Sequence, residues 1–269
     1  MVGLVAAFTL AVVLAAGQVR EGTTGAEPAA AGLSTTVHVL TWAGDDDLPP
    51  PLPDSSAAFR LNPNRWAASD LPVTVWYNPA GAPPGIAVED LVRNALEQWS
   101  KVPGSAFAFA YAGTTTAGPG ACDVPGRQLD GRNTVTFVTT LPAGTLGITC
   151  TVWSGGSNGD LVEFDIQLNA NVNWGRSDSL GPGQFDLAST ILHELGHGAG
   201  LGHPCTGSSS CTDAERHAVM YPSLRARELR NVLKEDDKAA MAAAYPGPPP
   251  GGSGAVGPFR AVLPGVGRD

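Results

Sequence analysis

The chain has 269 residues, 43% hydrophobic and 15% charged, which is enough apolar material for one sizeable core with short appendages. Its formal net charge of −9 and the lack of any basic patch exclude recognition of nucleic acid or an anionic membrane through clustered cations.

Val2 to Gly17 form an apolar run ending in small residues, the pattern of a secretory signal peptide and short for a membrane span. No Lys or Arg precedes it, so either the true start lies upstream or the segment is an unusual signal; an uncleaved anchor is the competing expectation. After cleavage the expectation is a secreted, extracellular monomer with no stable membrane association. Residues 18–65 read as a linker or pro-segment, because Ala, Gly, Thr, Pro and Asp dominate and Pro49, Pro50, Pro51 and Pro53 interrupt regular structure.

From there the periodicities change. Leu71–Tyr77 alternates as a strand and Asn78-Pro79-Ala80-Gly81 closes it with turn residues. Val88, Leu91, Val92, Ala95, Leu96, Trp99 and Val102 recur at helical spacing, which predicts an amphipathic helix. Phe107, Phe109 and Tyr111 alternate as a second strand, Gly113–Arg132 reads as a loop, and Thr134–Val138 as a third strand. Leu146–Trp153 and Leu161–Leu168 are joined by Ser154–Gly159, a hairpin connection.

Phe185 to His203, FDLASTILHELGHGAGLGH, carries the chemistry. Asp186 is a candidate N-cap, and Leu187, Ile191, Leu192 and Leu195 predict a helix to about Ala199, buried along one side. His193 and His197 then face the same way one turn apart, within reach of one cation. Gly200 and Gly202 tolerate positive φ, so the chain can turn and bring His203 in as a third ligand. Three ligands leave a fourth position for water. Glu194, offset by about 100° from its neighbours, flanks the metal as a general base. A chance match to HExxHxxGxxH in this composition has a probability on the order of 10⁻⁵. A purely structural zinc would want a fourth protein ligand, and only Cys205 adjoins the motif.

Cys122, Cys150, Cys205 and Cys211 permit three pairings in an oxidising compartment; closeness in sequence favours Cys205–Cys211 and leaves Cys122–Cys150. Leu233–Tyr245 is Ala-rich with carboxylates at its start, a final helix. Residues 247–269 are a Gly/Pro-rich tail.

His193–His203, followed by Ala218-Val219-Met220-Tyr221-Pro222-Ser223, resembles the metzincin clan of zinc endopeptidases, and most of all its matrixin branch, peptidase family M10. The resemblance covers residues 66–246 as a catalytic domain. It implies an α+β metzincin fold: a twisted five-stranded mixed sheet with one antiparallel edge strand, an active-site helix, and a small C-terminal subdomain. Met220 would be the Met-turn methionine beneath the imidazoles. Leu146, Gly147 and Ile148 on the edge strand would pair with an extended polypeptide substrate, and Tyr221, Pro222 and Ser223 would wall the pocket for the side chain after the cut bond. Asp236 and Asp237 would be structural, with a processed amino terminus as a candidate partner.

The implied activity is endopeptidase hydrolysis, Glu194 assisting attack by zinc-bound water. Its rivals are a secreted zinc-binding module whose cleft is blocked, and a zinc hydrolase of small amides. The sequence departs from animal matrixins in two ways. No cysteine precedes Cys122 to hold the zinc in a latent form, and the segment Thr139–Thr145 has no histidine for a second zinc. One zinc is therefore expected, and calcium is left open, since Asp130, Asp160 and Asp165 make no calcium motif. Trp42-Ala43-Gly44-Asp45 resembles the aspartate-bearing latency element of astacin-type relatives, with Asp45 as the blocking residue.

Overall fold

The computed structural model describes residues 33–43, 59, 61–122, 129–155, 159–205 and 211–248. The signal-like segment, Asp45 and almost all of the C-terminal tail lie outside these residues. No helix among those described is long and apolar enough to cross a membrane.

Alternating apolar residues build the sheet. Strand β2 (Val73–Tyr77) buries Val73, Val75 and Tyr77 and exposes Thr74, as a pleat of period two requires. It is flanked in parallel by β3 (Phe109–Thr114) and β4 (Asn133–Val138), and β4 pairs in parallel with β6 (Leu161–Asn169). Strand β5 (Thr145–Ser154) reverses direction and forms the predicted hairpin with β6. These are the five strands expected, with β5 antiparallel to the rest.

The sheet does not stop there. Leu33–Trp42 forms a ten-residue strand, β1, along the free side of β5, and the short β9 (Ser223–Leu224) adds to its far end. The order is β3-β2-β4-β6-β5-β1-β9. Residues 18–65 were expected to lack regular structure, yet part of that segment is a strand. STTVHVLTW is rich in β-branched and apolar residues, a signal outweighed in the reading by the prolines that follow it. Strand β5 consequently has a neighbour on both sides.

Two helices pack below the sheet. In α1 (Val88–Ser100) the buried face is Val88, Val92, Ala95, Leu96 and Trp99, and the Trp99 indole donates to the Leu192 carbonyl at 2.8 Å. The second helix, α2 (Leu187–Gly198), is capped by Asp186, whose carboxylate accepts the Ser189 amide at 3.0 Å. It was expected to be buried along one side, but nearly every residue is buried, His193, Glu194 and His197 included. The sheet covers one face and α1 another. Such enclosure needs small residues: a Cβ at Gly198 would lie 2.7 Å from the Phe164 ring. Two two-residue strands, β7 (Trp174–Gly175) and β8 (Phe185–Asp186), pair in parallel just before α2.

The C-terminal part holds α3 (Asp213–His217), closed at its start by a Thr212–Glu215 capping box, and α4 (Glu235–Ala244). Tyr245 ties the lower layer together, donating its hydroxyl to the Ala199 carbonyl at 2.7 Å and accepting the Trp66 amide at 3.2 Å. Both disulfides form as expected, Cys122–Cys150 and Cys205–Cys211.

Candidate metal centre and cleft

The end of α2 sets the site. Gly200 adopts φ +89°, its amide donates to the His197 carbonyl at 2.8 Å, and the Leu201 amide donates to the Gly196 carbonyl at 3.0 Å. This is a Schellman ending, which satisfies helix carbonyls while the chain reverses. Gly202, also expected to use positive φ, stays out of that region, so Gly200 alone makes the turn. The reversal carries His203 back to the helix.

The three Nε2 atoms converge: His197 lies 3.1 Å from both His193 and His203, which are 3.3 Å from each other. A tetrahedral ion with Zn–N bonds near 2.0–2.1 Å holds its nitrogens about 3.3 Å apart, so the triad fits zinc. The outer nitrogens support this. His193 Nδ1 meets the Val219 carbonyl at 2.7 Å and His197 Nδ1 meets the Leu201 carbonyl at 2.8 Å. Donation there leaves both Nε2 atoms as lone-pair acceptors aimed at one point. Burial pushes the pKa of His193 down to about 3 and those of His197 and His203 well below the usual value, so the imidazoles face each other neutral. Opposed lone pairs at this spacing repel unless a cation lies between them. Among the described residues, this triad is the group of three or more His, Cys, Asp or Glu side chains arranged to share a metal ion.

Glu194 is buried beside the triad. Its Oε2 accepts the Thr149 hydroxyl at 2.5 Å, while Oε1 has no hydrogen-bond partner. Burial raises its pKa to about 8, with the Thr149 bond acting in the opposite direction. A Cβ on Gly147 would stand 2.6 Å from Oε1, so glycine at that position on β5 gives the carboxylate its room. Thr149 was missed in the sequence, where it is one threonine of an alternating strand; nothing local marks it as the partner of a glutamate 45 residues away.

Met220 is buried against Gly196, between the two helical histidines, where an added Cβ would collide with its sulfur. The turn carrying it is pinned from α4: Asp237 accepts the amides of Val219 at 2.9 Å, Met220 at 3.1 Å and Lys234 at 2.8 Å. Asp237, expected to be structural, anchors the Met220 turn and the start of α4.

The predicted substrate contacts are occupied by the protein's own chain. Gly147 pairs with Leu40 and Ile148 with Val39, whereas Leu146 is the unpaired extra residue of a bulge in β5 and is buried in the core. The Pro222 carbonyl accepts the Thr41 amide at 3.3 Å and Ser223 pairs with Thr41. Tyr221 packs on the Cys205–Cys211 bridge, with the Arg230 guanidinium 4.7 Å over its ring. Leu40 is buried and lines a small space together with His193, Val219, Tyr221, Ser223, Leu224 and Arg230. His38 stacks on His197 with ring centroids 4.2 Å apart, and its Nε2 has no partner.

A mixed sheet over a helix bearing a three-histidine, glutamate-flanked centre defines a zinc-hydrolase architecture of the metzincin kind. The sequence model of the matrixin family matches residues 65–246, and the chain belongs to that family. It is also similar to Metalloendoproteinase 1-MMP of Arabidopsis thaliana, 39% identical over 88 residues, which cover 32% of this chain. The match spans 21% of that relative's length.

Proposed function

We propose that the protein is a secreted zinc endopeptidase that cuts internal bonds of extended polypeptides. The observation that carries this reading is the convergence of three neutral imidazole nitrogens, 3.1–3.3 Å apart, beside a buried glutamate with one unpartnered oxygen. His193, His197 and His203 hold the ion. Zinc, when bound, supplies Lewis-acid polarisation of the scissile carbonyl and makes water more acidic.

The chain's own residues do the rest. Glu194 Oε1 accepts a proton from the attacking water and delivers it to the leaving amine, while Thr149 keeps Oε2 in place. Strand β5 aligns the substrate backbone at Gly147 and Ile148, and the pocket behind His193 takes the side chain after the cut bond. Secretion rests on the apolar segment Val2–Gly17 and on four cysteines paired as two disulfides.

A second reading, a zinc-binding module with a closed cleft, is favoured by the one observation that β1 covers β5. Incubating the zinc-loaded full chain, the Glu194→Ala variant and a Leu40→Asp variant with a mixed peptide library separates the two. Internal cuts that vanish with Glu194→Ala support the endopeptidase. Retention of zinc without cuts by wild type or Leu40→Asp would leave the binding module.

A further inference from the structure

Strand β1 lies in the cleft as a substrate would. It runs antiparallel to β5 and parallel to β9, so both of its backbone edges are engaged by the walls of the site. Its side chains alternate from Val37 to Thr41: His38 and Leu40 are 4% and 2% exposed, whereas Val37 is 39% exposed and Val39 and Thr41 are half-buried. The two inward residues straddle the metal ligands, His38 stacked on His197 and Leu40 beside His193. The backbone of Val39 therefore crosses the triad.

We propose that Val39–Leu40 is a self-processing site, hydrolysed in cis by the metal centre it covers; this rests on the endopeptidase reading above. Leu40 is buried beside His193, Val219 and Tyr221, where the side chain that follows the cut bond would lie, and the next amide, Thr41, donates to the Pro222 carbonyl, which selects Val39–Leu40 over its neighbours. Glu194 agrees with that choice. Its free Oε1 adjoins Gly147, and Gly147 pairs with Leu40, the residue whose nitrogen leaves. In the reaction one water is consumed and the C–N bond of Val39–Leu40 breaks. The water oxygen joins the Val39 carbonyl carbon, and Glu194 passes a water proton to the Leu40 nitrogen. The products are a chain ending in the Val39 carboxylate and one beginning with the Leu40 amine.

Before the cut, β1 excludes other polypeptides, because it is held at the high effective concentration of a tethered ligand. After the cut, the two halves separate independently: residues 33–39 keep their pairing with β5 and the His38–His197 stack, and Leu40–Ala43 keep the contacts to Gly144, Pro222 and Leu224. The cleft then opens to substrates in trans.

The test uses the full chain, prepared with chelator and then given zinc, followed by intact mass and amino-terminal sequencing at two protein concentrations tenfold apart. The expected result is a new amino terminus at Leu40, appearing at a first-order rate that dilution leaves unchanged, and slowed about 100-fold or more by Glu194→Ala. A readout independent of activity is hydrogen exchange of residues 34–41 in zinc-loaded Glu194→Ala. Slow exchange there, and exchange faster by about tenfold or more when Leu40→Asp is added, supports the seated strand. A cut at another bond, a rate that scales with concentration, or fast exchange in both chains overturns the proposal. If the Leu40→Asp chain cleaves added peptides while wild type stays intact, self-processing fails and the endopeptidase stands. If no chain cuts any peptide bond, both fail.

Discussion

Asp237 reaches His193 through a single residue: its Oδ2 accepts the Val219 amide at 2.9 Å, and the Val219 carbonyl meets His193 Nδ1 at 2.7 Å. An acidic side chain in the first turn of the last helix thus orients a metal ligand on another helix. The same carboxylate gathers the amides of Met220 and Lys234, so one buried group anchors the Met220 turn, the start of α4 and the ligand.

Replacing Asp237 by Ala leaves three amides without their acceptor. The expected result is a loss of about 2–4 kcal/mol in stability and a zinc affinity weaker by about 10–100-fold. Thermal melts and chelator competition measure the two. An unchanged zinc affinity would mean that the Val219 carbonyl holds His193 without help from α4.

Thr149→Val removes the hydroxyl that holds Glu194 and keeps the β-branched shape. The turnover of peptides by an open-cleft chain such as Leu40→Asp should fall about tenfold or more, with KM and zinc content unchanged. Thr149→Ser should restore the rate, since it keeps the donor. Equal rates for Val and Thr would show that Glu194 is positioned by its burial alone.

Gly196→Ala tests the packing beneath the histidines. Alanine is the better helix former by about 1 kcal/mol, so an exposed position would gain. Here the new methyl would collide with Met220 Sδ and stand 2.8 Å from Trp99, so a net loss of about 1–3 kcal/mol is expected. A higher melting temperature would show that Met220 can move aside freely.

Asp165 gives a pH dependence away from the metal ligands. It accepts the Ala121 and Thr134 amides, each at 2.8 Å, yet burial outweighs those bonds and raises its pKa to about 8. A carboxyl raised above its unfolded value contributes stability that is complete below about pH 4 and is lost as pH rises towards 8. The melting-temperature advantage of wild type over Asp165→Asn should therefore shrink by several degrees between pH 5 and pH 8. A gap that widens with pH would mean that the two amides hold the carboxylate ionised.

The metal centre was legible in the sequence because its determinants are local. His193, His197 and His203 fall within eleven residues, a helix period stacks the first two, and Gly200 permits the one turn the third requires. The five core strands and three helices followed from period and turn residues for the same reason. The boundaries that moved did so at element ends, where tertiary bonds decide: Tyr245 and Trp66 close the end of α2, and Phe107 falls outside β3.

What only the tertiary structure decided depends on partners far apart in the chain. Thr149 meets Glu194 across 45 residues, Asp237 meets Val219 across 18, and Leu40 comes to lie beside His193 and Tyr221. A strand's composition states that it can pair but not with which edge. Leu33–Trp42 could therefore be read as linker until the free side of β5 was seen to accept it. The chain's local sequence determined which residues can bind the ion; long-range pairing determined that its own strand β1 lies along β5 beside them.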